Sequence, residues 1–297
     1  RGAEVVSQCV DSPPQLAWPL LHPRAGWSFR TGRELKVNRR PNPQPHETTK
    51  QDTLSNIVIA KAMRLIARAL AAGRLQTIAS GVEHVPKKGP TLLVARHYHH
   101  LFDGLALYAA VPRQLHILVT LDWAKNTPVR LFIEWATKVG RWPVVLRADA
   151  VKRNENDNQR QRRKFISLDD VARYQRRGMR QSVDLLVEGR VLAVFPEGYP
   201  NIDPTYTPKA EADEFLPFKS GFAAIAAAAE KRLGTSIPII PVGLRYIEGE
   251  PWIAHINFGV AIFTENFSSR DLLVKHLERQ VRILSGLSVS ETMQPLG

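Results

Sequence analysis

Three histidines fall within four positions, His97, His99 and His100, in the run ARHYHHLFDG (95–104), and Asp103 follows them. A histidine beside an aspartate suits general-base chemistry. The carboxylate fixes the imidazole tautomer and stabilises the imidazolium that forms when the ring takes a proton. Two pairings are open: His97 with Asp103, five residues between them, and His99 with Asp103, which are four apart and can meet on a helical turn. Three close histidines also suit a metal-dependent hydrolase built on His97, His99 and His100. Hydrolytic zinc sites of the His-x-His-x-Asp-His type, however, need an Asp where Leu101 stands. His116, His255 and His276 are isolated, so no second ligand set follows and no metal is expected.

Three further segments carry groups that act on anions and hydroxyls. GRWPVVLR (140–147) ends in Arg147, and an arginine at the end of a strand can clamp a phosphate through two parallel bonds. VLAVFPEGYPN (191–201) places Phe195, Pro196, Glu197 and Gly198 where a strand gives way to a tight turn. That turn would present Glu197 to substrate hydroxyls. FKSGFAAIAAAAEKRLGTSIPIIPVGL (218–244) reads as a small-residue helix, a glycine stop and a strand with Pro238 and Pro241. No Gly-x-Ser-x-Gly elbow is present, and the single cysteine, Cys9, lies in a polar tail, so a serine or cysteine nucleophile is not expected.

Positioning these groups requires strands that end at loops. From about Gly81, short apolar runs rich in β-branched residues recur: 91–96, 115–120, 142–147, 191–196, 237–243 and 253–259. Helical patterns lie between most of them, at roughly 103–111, 127–139, 169–188 and 219–233. Gly140, Gly189 and Gly234 stand as stop signals. This alternation predicts an α/β fold, a single layered domain with a mostly parallel sheet flanked by helices. A first helix is expected from Leu54 to Ala72, capped by Asp52 or Thr53 and stopped at Gly73. It is amphipathic, and its cations Lys61, Arg64 and Arg68 recur at helical spacing. Either a core-packed helix with a solvated basic side or a membrane-lying one fits that pattern. Residues 1–50 form an irregular arm rich in Pro and Arg, 51–297 form the domain, and KRNENDNQRQRRK (152–164) is an exposed loop.

The chain of 297 residues carries 41 Lys plus Arg against 28 Asp plus Glu, a formal charge of +13. Such a chain seeks anions: nucleic acid, anionic lipid or a phosphorylated substrate. Its basic residues are scattered without interleaved aromatics or a reader motif, so nucleic acid is not an expected partner. No uninterrupted apolar run of about 18 residues suggests a spanning helix.

The four segments, taken in order, resemble the glycerolipid acyltransferases, the family of lysophosphatidic acid and glycerol-3-phosphate acyltransferases. That family shows a His/Asp motif after a strand, a Gly…Arg strand, an F-P-E-G turn and an apolar strand with proline. Here these are His97…Asp103, Gly140…Arg147, Phe195–Gly198 and Ile237–Val242. FKSG (218–221) and INFG (256–259) add two matches, and the resemblance spans about residues 75–265. It departs in two places. The family keeps four residues between His and Asp, whereas position 98 here is Tyr, and alignment of the strand end favours His97 with His99 as the alternative base. The turn continues with Tyr199-Pro200 in place of Thr-Arg, and an insertion runs to Pro217.

The resemblance implies an O-acyltransferase of phospholipid biosynthesis or remodelling. It would move a fatty acyl group from an acyl thioester, acyl-CoA or acyl carrier protein, to the hydroxyl of a lysophospholipid or glycerol phosphate. His97 and Asp103 would be catalytic, Arg147 would hold the phosphate, and Phe195, Pro196, Glu197 and Gly198 would lie near the glycerol. No cofactor is implied. The expected setting is cytoplasmic, peripherally associated with an anionic membrane surface. A catalytically inactive lipid-binding relative is the quieter alternative.

Overall fold

A computed structural model describes residues 54–120, 135, 137–147, 168–204 and 206–288. The arm at 1–50, the capping residues Asp52 and Thr53, the basic loop at 152–164 and most of the helix expected at 127–139 lie outside the described residues.

In chain order the elements are α1 (Leu54–Ala71), β1 (Leu75–Ser80), β2 (Thr91–Ala95), α2 (Phe102–Ala110), β3 (Leu115–Ile117), β4 (Val119–Thr120), β5 (Val144–Val145), α3 (Leu168–Val187), β6 (Val191–Val194), α4 (Gly221–Leu233), β7 (Ile239–Ile247), β8 (Trp252–Phe258) and α5 (Arg270–Leu284). Six strands form one sheet in the order β1-β8-β7-β2-β6-β3, and β4 pairs with β5 in a separate two-stranded ladder. Every pairing is parallel except β7 with β8. The expected α/β architecture, helices flanking a mostly parallel sheet, is the observed one.

The reason lies in how the central strands are covered. Leu93 and Ala95 of β2, with Val191 and Ala193 of β6, pack into one apolar cluster together with Leu105 and Leu107 of α2 and Ala67 of α1. Leu92, Val94, Leu192 and Val194 point the other way, against Val183 and Leu186 of α3, Phe222 and Ile225 of α4, and Leu273 and Leu277 of α5. Strands buried on both faces read as continuous apolar runs, which is why the sequence displays them.

Local differences have local causes. The run at 115–120 divides, its first half entering the main sheet beside β6 and its second pairing with β5. Gly189 and Gly234 take left-handed conformations after their helices, as expected of stop residues. At 140–141 it is Arg141, not Gly140, that carries the positive φ, 52°. Its guanidinium is tied to both oxygens of Glu188, at 2.8 and 2.9 Å.

Helix α1 presents mixed chemistry. Val58 and Leu65 are 63% and 69% exposed, and Lys61 and Arg68 are exposed with them. Arg64 departs from that face. It is half-buried and donates to the carbonyls of Val111 and Arg113, at 3.2 and 3.1 Å, fixing α1 to the end of α2. No helix among the described residues is long and apolar enough to cross a membrane.

Candidate active site

β2 and β6 are adjacent and parallel, with Thr91 opposite Val191 and Val94 opposite Val194, so their following loops emerge at the same edge. Such C-terminal edges are where parallel sheets build sites. The loop after β2 carries His97 to Asp103, and the loop after β6 carries Phe195 to Gly198. Proline at the second position and Gly198 at φ 78° make the latter a tight turn, closed by the Gly198 N–H on the Phe195 carbonyl at 3.0 Å.

The structure brings the imidazole of His97, not that of His99, to Asp103. His97 Nδ1 lies 2.7 Å from Asp103 Oδ2. Asp103, at the start of α2, is 1% exposed. Its Oδ2 also accepts from the Tyr98 N–H at 2.7 Å, and its Oδ1 accepts from the His99 N–H at 3.1 Å and the Tyr246 hydroxyl at 2.7 Å. Four partners therefore meet the four lone-pair sites of one carboxylate, which as an anion only accepts, so His97 Nδ1 is the hydrogen donor and the tautomer that leaves a lone pair on Nε2 is the one that fits. The ring stacks on Phe195 with centroids 4.5 Å apart, and its side chain keeps 17% exposure. The extra residue in the loop is thus absorbed by backbone donors folding around Asp103.

His99 serves the helix. Its Nδ1 accepts from the N–H groups of Leu101 and Phe102, both at 3.2 Å, two of the orphan donors at the start of α2. It stacks between Phe102 and His100. Burial, with the adjacent His100 adding to it, lowers its pKa to about 4, so the ring stays neutral. His100 is likewise lowered by burial, its Nδ1 facing the Ile202 carbonyl at 3.3 Å. Among the described residues, no group of three or more His, Cys, Asp or Glu side chains is arranged to hold a metal ion.

Arg147 follows β5 and donates to the Gly198 carbonyl at 3.1 Å, with its guanidinium 4.0 Å above the Tyr199 ring. His97, Asp103, Arg147, Phe195, Pro196 and Gly198 all line one cavity of about 790 Å³. Beyond those groups its wall is largely apolar, with Leu105, Ile117, Trp142, Leu146 and Ile225 among the lining. Glu197, expected beside substrate hydroxyls, is 1% exposed and turned inward. Its Oε1 accepts from the His97 N–H at 2.7 Å; its Oε2 accepts from the Leu216 N–H at 3.0 Å and pairs with Lys209 at 2.6 Å.

Two participants escaped the sequence reading. Tyr246, near the end of β7, grips Asp103 from 143 positions away; burial and the neighbouring carboxylate push its pKa well above the ordinary value. Lys209 lies in the insertion after the F-P-E-G turn. No spacing rule links either to the site; the one mark Lys209 leaves in the sequence is that it is the single cation of the 199–217 insertion.

The family model described as Acyltransferase matches residues 76–245, more than half of the chain. The crystal structure of the 1-acyl-sn-glycerophosphate (LPA) acyltransferase PlsC from Thermotoga maritima is similar in fold. Its TM-score is 0.51 at 18% sequence identity, covering 76% of this chain and 78% of that one. No curated protein matches the sequence. With its motif order, its fold and a model match over most of the domain, the chain belongs to the acyltransferase family.

Proposed function

We propose that this enzyme transfers a fatty acyl group from an acyl thioester, acyl-CoA or acyl carrier protein, to the hydroxyl of a phosphate-bearing glycerolipid. One observation carries the reading: the His97–Asp103 pair at 2.7 Å opens onto a mostly apolar cavity that also receives Arg147. An apolar chain, a base and a guanidinium for phosphate meet in one space.

The chemistry follows from the tautomer. With Nδ1 donating to Asp103, Nε2 takes the proton of the acceptor hydroxyl while that oxygen forms its bond to the thioester carbonyl carbon. Asp103 steadies the imidazolium. The tetrahedral intermediate collapses by breaking the carbon–sulfur bond, and the thiolate leaves with the proton returned from His97. A positioned base of this kind contributes about 100- to 10,000-fold. Arg147 holds the acceptor phosphate, and Phe195 backs the imidazole. Glu197 acts through the protein, holding the His97 backbone. Lysophosphatidate is the acceptor best supported, since PlsC of Thermotoga maritima shares the fold and carries that substrate in its name.

The enzyme meets its lipid on a surface. The exposed stripe of α1, Val58 and Leu65 flanked by Lys61 and Arg68, suits peripheral contact with anionic lipid on the cytoplasmic side, where the thioester donors are found.

The test is product mass spectrometry on the purified full chain given mixed acyl-CoAs and a panel of lysolipids, with His97→Gln in parallel. Acylated phospholipid from the parent alone is expected. Absence of any acylated product, or equal yield from His97→Gln, would overturn the assignment.

A further inference from the structure

Glu197 and Lys209 hold the two backbone polar groups of one residue, His97. Glu197 Oε1 takes the N–H of His97 at 2.7 Å, and Lys209 Nζ donates to the carbonyl of His97 at 2.8 Å. The same ammonium donates to Asn201 Oδ1 at 3.1 Å and pairs with Glu197 Oε2 at 2.6 Å. All three of its protons are thereby used, and both side chains of the ion pair are fully buried.

Lys209 reaches this place from the far part of the loop after β6, eleven residues beyond the F-P-E-G turn. It sits in the insertion between Tyr199 and Pro217, which docks along the His97 loop. Ile202 donates to the Tyr98 carbonyl at 2.8 Å and accepts from the His100 N–H at 3.0 Å. Asn201 Nδ2 donates to the carbonyls of Glu211 and Glu214, at 2.8 and 3.0 Å, and Arg96 donates to that of Ala212 at 2.7 Å, so the segment is folded on itself as well as onto the site. An ordinary structural ion pair would touch scaffold. This one ends on the backbone of the base.

We propose that Lys209 is a positioning residue for acyl transfer, and that the Tyr199–Pro217 insertion is a clip whose pin, Lys209 with Glu197, fixes the peptide of His97. The inference rests on His97 being the base. Asp103 anchors the imidazole at Nδ1, but the direction of Nε2 depends equally on where the His97 backbone sits. Freed at its carbonyl, that backbone lets the ring drift while the bond to Asp103 follows it. A misplacement of about 1 Å at a reacting group costs on the order of 100-fold in rate. The Asp103, Glu197, Arg96 and Lys209 side chains are all buried here, and their formal charges cancel while His97 is neutral. Burial lowers the Lys209 pKa and Glu197 opposes that shift, so neither partner is comfortable alone.

The experiment compares the full chain with Lys209→Met, with Lys209→Met/Glu197→Gln and with His97→Gln, by steady-state kinetics and by the hydrogen-bonded Nδ1 proton signal of His97 in NMR spectra. Lys209→Met should lose on the order of 100-fold in kcat with acceptor KM within about twofold, the pattern of a lost transition-state alignment. The Nδ1 signal should broaden or shift. The double variant, which leaves no bare buried charge, should recover stability but remain at least about tenfold below the parent in kcat. If Lys209→Met does not fold, the double variant carries the comparison. Native kcat with an unchanged Nδ1 signal in whichever of the two folds overturns the proposal. Turnover by His97→Gln would instead overturn the base assignment, so the two failures are told apart.

Discussion

Replacing Asp103 by asparagine exchanges one oxygen for an NH2 group, and the surrounding donors dictate where that group goes. Each carboxylate oxygen faces one backbone N–H, which cannot turn round, and one side chain, which can. On the Oδ2 side these are Tyr98 N–H at 2.7 Å and His97; on the Oδ1 side they are His99 N–H at 3.1 Å and the Tyr246 hydroxyl. The longer bond is the cheaper to lose, and the Tyr246 hydroxyl rotates to accept. The NH2 therefore settles on the Oδ1 side, and His97 keeps its Nδ1 bond to a neutral oxygen with its tautomer intact. What disappears is the negative charge that steadies the imidazolium. The loss in kcat should accordingly fall toward the lower end of the about 100- to 10,000-fold attributable to a positioned base. At about 1.4 kcal/mol per tenfold, the lower bound corresponds to about 3 kcal/mol of barrier. Stability should fall by about 1–3 kcal/mol, because one buried backbone donor faces another donor. Asp103→Ala is the poorer variant, since it strips all four donors at once and confounds folding with catalysis. The assay is kcat for acyl transfer by the purified full chain, with urea unfolding of the same preparation. A kcat within threefold of the parent in folded Asp103→Asn, while His97→Gln is inactive, would refute the role given to the charge.

Arg147→Ala should raise KM for phosphate-bearing acceptors by roughly 10- to 100-fold, and Arg147→Lys should restore little because one ammonium cannot reproduce a planar fork; equal KM in all three proteins removes Arg147 from the phosphate. Lys61→Glu/Arg68→Glu should weaken co-sedimentation with anionic vesicles, each cation near such a surface contributing about 1 kcal/mol, and high salt should erase the difference. Arg64→Glu should instead lower stability, since Arg64 bonds to the Val111 and Arg113 carbonyls; identical vesicle binding by the parent and the double variant at low salt counts against the surface. Burial holds His99 and His116 at about 4 against an unfolded value of 6.5. Both are neutral when native, so their contribution is whole above pH 6.5 and drains away as pH falls toward 4, by up to about 3 kcal/mol for the deeply buried His116 and less for His99. His116→Gln should flatten the stability-against-pH curve between those limits, and an unchanged slope shows that His116 is not the group titrating.

The elements that sequence disclosed are those whose burial repeats along the chain. Strands covered on both faces print as apolar runs, and α4 prints its small residues because Ala223, Ala226 and Ala229 pack against the sheet. β1 left no such mark: it is an edge strand, and most of LQTIAS is exposed or half-exposed. α5 did leave one, with Leu273, Val274, Leu277 and Val281 at helical spacing and Ser269 accepting from the Leu272 N–H as its cap, yet no helix was expected there. In the site, the order of segments located the loops, and spacing left both His97 and His99 open, with only the alignment of the strand end favouring His97. What separates them is tertiary: the N–H groups of Tyr98 and His99 fold onto Asp103, and the His99 ring is spent on the donors of Leu101 and Phe102. Glu197 makes the same point more sharply. The Phe-Pro-Glu-Gly turn determines where its carboxylate leaves the backbone, yet whether it faces substrate or protein depends on what awaits it inside. Lys209, twelve positions on in the insertion that departs from the family pattern, supplies a buried cation, and the carboxylate turns to it. A motif therefore specifies a backbone, whereas the direction of a charged side chain on it belongs to the rest of the fold.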